Sequence, residues 1–196
     1  DTLSLHDALP ISAGSVLMIH IISLLFAFQR VPSEYWVLSE NLKYFISCNI
    51  DNKFNLLGIW SHQADSPTFK YIGQIWKYIR LHKNNMSSKD IMLIGDFNSN
   101  KIWDVWDRWW NHSDVVDKLN KMNILSFYHK YYEQEQGEEL TPTYFHWKKL
   151  EKEFHIDYVF GSEKIYKKLQ NMEIGQYDNW IDVSDHMPMI LNMNVE

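Results

Sequence analysis

The sequence predicts an α/β protein, because short apolar segments typical of strands alternate along the chain with segments whose apolar residues have helical spacing. Two segments carry this prediction. Ile91 to Gly95 (IMLIG) is a continuous apolar run that ends in glycine, which is typical of a buried strand. Thr68 to His82 spaces its apolar residues three or four apart, as an amphipathic helix does. These residues are Phe69, Ile72, Trp76 and Ile79.

The other predicted elements rest on the same signals. Lys43 to Ile50 and Asn55 to His62 are β-branched and aromatic runs separated by a polar turn, which predicts a hairpin or two neighbouring strands. Ser113 is the predicted N-cap of the next helix, with Asp114 in its first turn. The later elements are a strand from Phe154 to Phe160, a short helix capped by Ser162, and a final strand from Met187 to Val195.

The first 41 residues carry no predicted function. Asp1 to Ile11 begins without methionine and resembles the in-frame translation of a sequencing adapter, so we expect an artefact rather than a polar leader. The apolar run from Val16 to Phe28 is shorter than the roughly 20 residues that a membrane span needs, and no basic region precedes it. It is either a buried strand or a frame-shifted remnant. Residues 12–41 therefore form an uncertain segment, and residues 42–196 form the predicted domain.

Composition narrows the functional class. The net charge of −6 gives no overall basic field for duplex nucleic acid, so such a substrate would need a local basic face or bound metal ions. Cys48 is the single cysteine, which excludes an intrachain disulfide and suits a reducing cytoplasm, where we expect the protein. The sequence has no C-x-x-C or H-E-x-x-H pattern that would indicate a zinc site. We expect a monomer without membrane contact.

Three short polar clusters lie at predicted strand boundaries. Asp96 and Asn98 directly follow the buried strand and, being two residues apart, point the same way if the chain is extended. Asp157 lies in the middle of a predicted strand, where a carboxylate is costly without a partner. Asp185 and His186 precede the last strand, and a carboxylate beside an imidazole fixes its tautomer. Singly, each cluster suits a turn, an ion pair or a cap, but together and in this order they favour a catalytic site.

The segments IMLIGDFN, FHIDYVF and VSDHMPMI resemble the C-terminal motifs of the endonuclease/exonuclease/phosphatase superfamily, which includes exonuclease III-like and DNase I-like nucleases as well as phosphatases. The resemblance covers roughly Leu42 to Val195. It implies a four-layer α/β sandwich of which mainly the C-terminal half is present. It also implies a site for Mg²⁺, with Mn²⁺ as the alternative, at one rim, and DNA as the substrate.

The resemblance assigns a role to each matching residue. Asp96 matches the aspartate that orients or deprotonates the attacking water, and it is also a candidate metal ligand. Asn98 matches the amide that contacts the scissile phosphate, and Asp185 matches a metal ligand. His186 matches the histidine that binds phosphate and handles protons, with Asp157 as its carboxylate partner.

The sequence departs from the family pattern in two places. The family's glutamate metal ligand lies in the N-terminal half, and no segment before Leu42 matches it, so we expect a truncated chain that is inactive as given. Relatives carry a phosphate-contacting tyrosine where this chain has Trp60. Because indole lacks the hydroxyl, Ser61, His62 or Gln63 would replace it, or the substrate differs.

Further candidates for substrate contact are Trp60, His62, Asn111, His112, Thr143 and Tyr144. A second group, Trp103, Trp106, Trp109 and Trp110 with Arg108, suits either a packed loop or stacking on nucleic-acid bases. Lys148, Lys149 and Lys152 suit a solvated face or phosphate contacts. The sequence thus predicts a Mg²⁺-dependent phosphodiester hydrolase acting on DNA through a water nucleophile. The alternatives are a phosphatase on a small phosphorylated substrate and a non-catalytic remnant.

Overall fold

A five-stranded sheet forms the centre of the fold in the computed structural model, which describes residues 16–19, 42, 44–50, 53–63, 66–87 and 90–194. The strands are β1 (Val16–Ile19), β2 (Phe45–Ile50), β3 (Phe54–Trp60), β4 (Ile91–Asp96), β5 (Ile124–Ser126), β6 (Tyr144–Phe145), β7 (Glu153–Phe154), β8 (Asp157–Ser162), β9 (Leu169–Ile174) and β10 (Met189–Met193). The helices are α1 (Ile72–Ser87), α2 (His112–Asn120), α3 (Phe127–Tyr132), α4 (Glu163–Tyr166) and α5 (Tyr177–Trp180).

Strand order follows from the connections between the elements. The central sheet has the order β2-β3-β4-β8-β5, in which only the β3–β4 pair is parallel. Parallel neighbours need a crossover, and α1 provides it between β3 and β4. A second, antiparallel sheet has the order β1-β10-β9, and β6 pairs with β7 in a small hairpin.

Both faces of β4, the middle strand of the central sheet, are buried, and its successive residues point to opposite faces. Leu93 of β4 belongs to a core with α1 and α2, whereas Met92 and Ile94 belong to a second core with β9 and β10. Burial on both faces explains the uninterrupted apolar run of β4. The predicted α/β class is therefore confirmed. The described elements form three layers, namely helices, central sheet and second sheet, and the four-layer sandwich remains an expectation.

Gly95 is required where β4 meets the polar segment that follows. Its φ angle is +135°, a region that disfavours side chains, and a Cβ atom there would overlap the carbonyl oxygen of Ile59 in the neighbouring strand. Glycine thus allows β3 and β4 to approach closely just before Asp96. The close contact of the two strands at Gly95 fixes the backbone from which Asp96 follows.

The helix predicted from Thr68 to His82 begins and ends later than expected. Tyr71 adopts a left-handed φ of 49°, and the Phe69 N–H donates to Ser66 Oγ in a turn ahead of the helix. Phe69 still packs on the helical core from this turn. The apolar spacing of Phe69 therefore fits a helix, although the helix itself starts only at Ile72. The helix continues to Ser87.

Two other predicted boundaries differ for identifiable reasons. The strand predicted from Phe154 to Phe160 is divided, because Phe154 pairs with β6 while Asp157 begins β8. Asp157 is therefore at a strand start and not in mid-strand. The helix assigned to an N-cap at Ser113 begins at His112, with Asn111 as the N-cap. The carboxylate of Asp104 accepts hydrogen bonds from the N–H groups of His112 and Ser113.

The remaining predicted elements are present, with shorter bounds. The hairpin of β2 and β3 is confirmed, with Phe45 opposite Ile59. Ser162 stands at the N-cap of α4 without a side-chain capping bond. Part of the apolar N-terminal run, Val16–Ile19, forms a strand against β10. The predicted artefact at residues 1–11 lies outside the described residues, and none of the helices that the structure describes has the length and apolarity of a membrane span.

Candidate active site

Asp96 and Asp157 meet at one end of the central sheet. The antiparallel pairing of β4 with β8 places Asp96 directly opposite Asp157. Both side chains are buried, and Asp157 has 0% exposure. Strand alternation directs both towards the second sheet, since they share the parity of Ile94 and Val159. The two carboxylates therefore lie at a rim between the sheets.

His186 completes a pair with Asp157. Its Nδ1 lies 2.9 Å from Asp157 Oδ2 and 3.1 Å from Oδ1, so Nδ1 carries the proton and donates it. The His186 N–H donates to Ser184 Oγ at 2.9 Å, and a backbone bridge joins His186 to Tyr144. These contacts fix the orientation of the imidazole. The hydrogen bond expected between these motifs is present.

Thr143 fixes the position of Asp157. Its Oγ1 accepts two hydrogen bonds, from the N–H groups of Ile156 and Asp157, each 3.0 Å long. Thr143 is fully buried, so its hydroxyl supports the backbone between β7 and β8. Thr143, predicted as a substrate contact, holds the start of β8 in the structure and has 0% exposure.

Asn98 holds the Asp96 carboxylate. Its N–H donates to Oδ1 at 2.7 Å, and its Nδ2 donates to Oδ2 at 2.6 Å and to the Ser61 carbonyl at 3.1 Å. The two side chains meet because Asn98 adopts a left-handed φ of 44°, not because the chain is extended as expected. Asparagine tolerates this conformation better than most residues. The amide of Asn98 thus orients Asp96.

The clustered charges shift the acid–base properties of the site. Burial raises the pKa of Asp96 well above its usual range, and the charge of Asp157 raises it further. Burial alone would lower the pKa of His186, but the charge and hydrogen bond of Asp157 raise it to about 9. Burial and then the charge of Asp185 also raise the pKa of the Tyr144 phenol. His186 is therefore an imidazolium at neutral pH, with a second N–H on Nε2.

Asp185 contributes a third charge to this rim. Its side chain is half-buried, its carbonyl accepts from the Phe145 N–H at 2.8 Å, and its charge acts on Asp96, Tyr144 and His186. All five residues of the three motifs thus lie at one rim. They are Asp96, Asn98, Asp157, Asp185 and His186.

The carboxylate oxygens at this rim are donors of the type that Mg²⁺ binds in proteins. Mg²⁺ is commonly bound by one or two carboxylates together with waters and substrate phosphates, and Asp96 and Asp185 are two such carboxylates. Asp157 is engaged with His186. Within the part of the chain that the structure describes, no three Asp, Glu, His or Cys side chains are grouped as a metal site. These residues fit a site that substrate oxygens or a further ligand would complete.

Trp60 and His62 lie beside this rim. Trp60 is paired with Asp96 in the β3–β4 register and is half-buried. His62 is exposed, and its ring lies 5.7 Å from that of Trp60. Ser61, the first of the three residues proposed to replace the family's tyrosine hydroxyl, is buried, and its carbonyl accepts from Asn98 Nδ2. Gln63 donates to the Tyr71 hydroxyl at 3.2 Å.

The other predicted substrate contacts have mixed outcomes. Tyr144 is half-buried at the site, and its ring lies 4.6 Å from the His186 ring. The His112 side chain has 0% exposure and contacts Ser99 and Gln136, so it lies in the interior and not on the exposed edge of the site. The side chain of Asn111 is occupied in fixing its own loop.

A buried network beneath the rim was missed at the sequence level. Asn100 Nδ2 donates to Glu139 Oε2, to the His155 carbonyl and to the Tyr158 hydroxyl. His129 Nε2 donates to Glu139 Oε1 at 2.9 Å. The network ties the segment after Asp96 to β8. Its members come from segments far apart in the chain, so no local spacing marks them.

The two-sheet arrangement is similar to the fold of solved DNA-processing enzymes. A 3′ phosphatase from Neisseria, solved with a product DNA hairpin, is similar with a TM-score of 0.58 and 16% identity over 77% of this chain and 65% of that chain. An AP endonuclease from Archaeoglobus fulgidus has a TM-score of 0.57 and 14% identity over 82% of this chain and 69% of that chain.

These similarities are structural. Comparison with protein-family models gives no match for the sequence, and comparison with curated proteins gives none either. The chain spans about two thirds of the length of the Neisseria enzyme. At such low identity the likeness shows a shared fold alone, which agrees with the α/β class that the sequence predicts.

Proposed function

We propose that the protein is a phosphodiester hydrolase that acts on DNA with water as the nucleophile and Mg²⁺, or alternatively Mn²⁺, as the cofactor. The observation that carries the proposal is the His186–Asp157 pair beside the Asp96–Asn98 pair at one rim. A base for water and a cation for phosphate then stand on adjoining strands and loops. DNA-processing enzymes share the fold, which supports this substrate class.

Asp96 is the proposed general base. A carboxylate whose pKa is raised takes a proton from water more readily near neutral pH than an ordinary one does. Asn98 keeps one carboxylate oxygen in place through Nδ2. In the proposed reaction the water oxygen attacks phosphorus, its proton passes to Asp96, and the ester P–O bond breaks. Asn98 would contact phosphate only by exchanging one of its present hydrogen bonds.

His186 is the proposed phosphate ligand and acid. As an imidazolium held by Asp157 it offers an N–H to a phosphate oxygen and a proton to the leaving oxygen. Tyr144 lines the same edge. Asp185 and Asp96 would hold the metal ion, which when bound neutralises charge on the phosphate. Since these are two carboxylates, we expect weak metal binding and no turnover by the chain as given.

The test compares the 196-residue chain with a fusion protein. In the fusion, the N-terminal half of an active relative, which contains the family's glutamate metal ligand, precedes the chain. The fusion should cleave plasmid or abasic-site DNA in Mg²⁺ and lose activity in EDTA. Asp96→Asn and His186→Ala should each lower kcat by roughly 10²–10⁴-fold, the scale for losing a general base or acid. Asp90→Asn, on the surface at the opposite end of β4, is the matched control and should retain full activity.

Two outcomes would overturn the proposal. Full activity of the His186→Ala fusion would remove this residue from the chemistry. Hydrolysis of small phosphomonoesters, with every DNA substrate left intact, would make the protein a phosphatase. Robust Mg²⁺-dependent turnover by the chain alone would refute the expectation that its ligand set is incomplete.

A further inference from the structure

Exposed indole side chains cluster on the loop that follows the active-site strand β4. Within residues 101–110, Trp103, Trp106 and Trp109 are 43%, 97% and 64% exposed. We refer to these three residues as the tryptophan surface. Trp110 is different, since it packs against Phe69 and the helical core. Three indoles exposed to this degree on one ten-residue segment indicate a binding surface.

The loop that carries the tryptophan surface has a defined conformation. The side chain of Asn111 donates to the carbonyls of Val105 and Arg108, at 2.9 and 2.7 Å. It also accepts from the Val105 N–H at 3.0 Å and from Arg108 Nε at 2.8 Å. Four hydrogen bonds to one amide hold the loop closed. The indoles therefore project from a preorganised support, which lowers the entropic cost of binding.

The tryptophan surface is continuous with the active site. The Trp103 ring lies 5.3 Å from the ring of Phe154. Phe154 pairs with Tyr144 in the β6–β7 hairpin, and the Tyr144 ring lies 4.6 Å from that of His186. Phe154 and Tyr144, which are opposite each other in the hairpin, thus lie between the Trp103 indole and His186, the proposed phosphate ligand. A polymer with its phosphate at His186 would reach the indoles with its neighbouring units.

Cations lie on the same loop and on the hairpin that it contacts. Lys101 is exposed, and the Arg108 guanidinium donates to the Trp103 carbonyl. Lys152 lies 4.1 Å from the ring centre of Trp147. Further charges on these segments are Lys148, Lys149, Asp104, Asp107, Glu151 and Glu153. Asp104 is engaged at the N-terminus of α2, and the cation in direct contact with a tryptophan of the surface is Arg108, through the Trp103 carbonyl.

We propose that the tryptophan surface is a stacking platform for unpaired bases of the DNA strand whose phosphate lies in the active site. The inference rests on the proposed function and names its substrate class as single-stranded DNA or an unpaired end. Indole faces stack on every base because each base has a flat π-face, whereas bases inside a duplex are already stacked. Cations beside the indoles bind the strand's phosphates.

The test measures binding of a fluorescent single-stranded oligodeoxynucleotide to the 196-residue chain by anisotropy, in EDTA so that nothing is cleaved. Trp106→Ala and Trp109→Ala should each weaken binding roughly 5- to 100-fold, the scale of losing one stacked base. Trp106→Phe should retain most of the affinity because it keeps an aromatic face. Leu81→Ala, an exposed apolar residue on α1, is the control and should bind normally. Blunt duplex of the same length should bind more weakly.

Equal affinity in all variants, or preference for duplex, would overturn the platform. So would self-association in sedimentation velocity that Trp106→Ala abolishes, because the indoles would then join two copies of the chain. Hydrolysis of bis(p-nitrophenyl) phosphate by the fusion separates the two proposals, since this diester has no bases. Tryptophan-dependent strand binding without hydrolysis of any diester rejects the proposed function and keeps the platform.

Discussion

Hydrogen bonds from buried polar residues fix the positions of Asp157 and His186 in this site. Asp157 has no exposure, and such a carboxylate is costly unless it is paired. His186 supplies the partner, and Thr143 supplies the fixed backbone from which Asp157 projects. The Thr143 hydroxyl accepts hydrogen bonds from two backbone N–H groups, and these bonds take the place of strand pairing where the chain passes from β7 to β8. The geometry of the pair therefore depends on a buried hydroxyl that is hydrogen-bonded to neither of the two side chains in the pair.

The contribution of Thr143 can be isolated by substitution. Thr143→Val keeps the side-chain shape but leaves the N–H groups of Ile156 and Asp157 without their acceptor. We expect the free energy of unfolding, measured in urea, to fall by about 1–3 kcal/mol for the unsatisfied buried groups. Thr143→Ser keeps the hydroxyl and should lose about 1 kcal/mol or less, for one methyl group. Equal losses in both variants would show that the hydroxyl is not what matters.

At the scale of elements, a distant carboxylate sets the start of α2. The sequence suggested Ser113 as the cap because it is the nearest capping type before the apolar residues. In the structure, Asp104 accepts hydrogen bonds from the first N–H groups of the helix across eight residues, at 2.8 Å from His112. The loop between Asp104 and the helix carries Trp106 and Trp109 of the tryptophan surface. The cap and the loop therefore form a single unit.

Removing this cap tests that unit. Asp104→Ala leaves helix N–H groups unpaired, and we expect a loss of about 0.5–2 kcal/mol in the free energy of unfolding. Asp107→Ala changes the same charge on the same loop, at an exposed position, and should stay within about 0.5 kcal/mol of the parent. Chemical denaturation of the three proteins side by side decides the matter. A comparable loss in both variants would assign the effect to net charge and not to capping.

At the scale of the whole molecule, buried titratable groups couple stability to pH. Burial lowers the pKa of His155 to about 4, from its usual value near 6.5. Burial alone would raise the pKa of Glu139, but hydrogen bonds from His129, Gly137 and Asn100 lower it to about 2. In both cases the unfolded chain takes up a proton at a higher pH than the folded protein does. Both groups therefore stabilise the fold less as pH falls.

The window of this effect follows from the two values. The contribution of His155 is complete above pH 6.5 and is lost as pH falls towards 4, on the order of 3 kcal/mol. Glu139 adds a loss from about pH 4.5 towards 2. Urea denaturation from pH 7.5 to 4.5 should show declining stability, and His155→Phe should flatten the decline. His62→Gln, at an exposed position, should leave the slope unchanged. An unaltered slope in His155→Phe would count against this assignment.

The site residues could be predicted from the sequence because each of the three motifs lies at a strand boundary. Asp96, Asp157 and His186 each follow or precede an apolar run, and they occur in the same order as the matching residues of the family that the sequence resembles. It could not reach the burial of His112, which depends on Ser99 and Gln136 from other segments. Nor could it find the left-handed turn at Tyr71, because apolar spacing is blind to backbone handedness. Local pattern identified the elements, and tertiary contacts decided their ends.

The pairing of β1 with β10 brings Val16 opposite Asn192, so the second sheet joins the two most distant described parts of the chain. Such non-local pairing is slow to form, because a long loop must close before any contact stabilises it. His186 lies just ahead of β10, whereas Asp96 and Asp157 belong to the earlier, central sheet. During synthesis Asp96 and Asp157 therefore leave the ribosome before His186 does. The His186–Asp157 pair can form only after the chain beyond β9 has been made, so the site is assembled from the last part of the described chain.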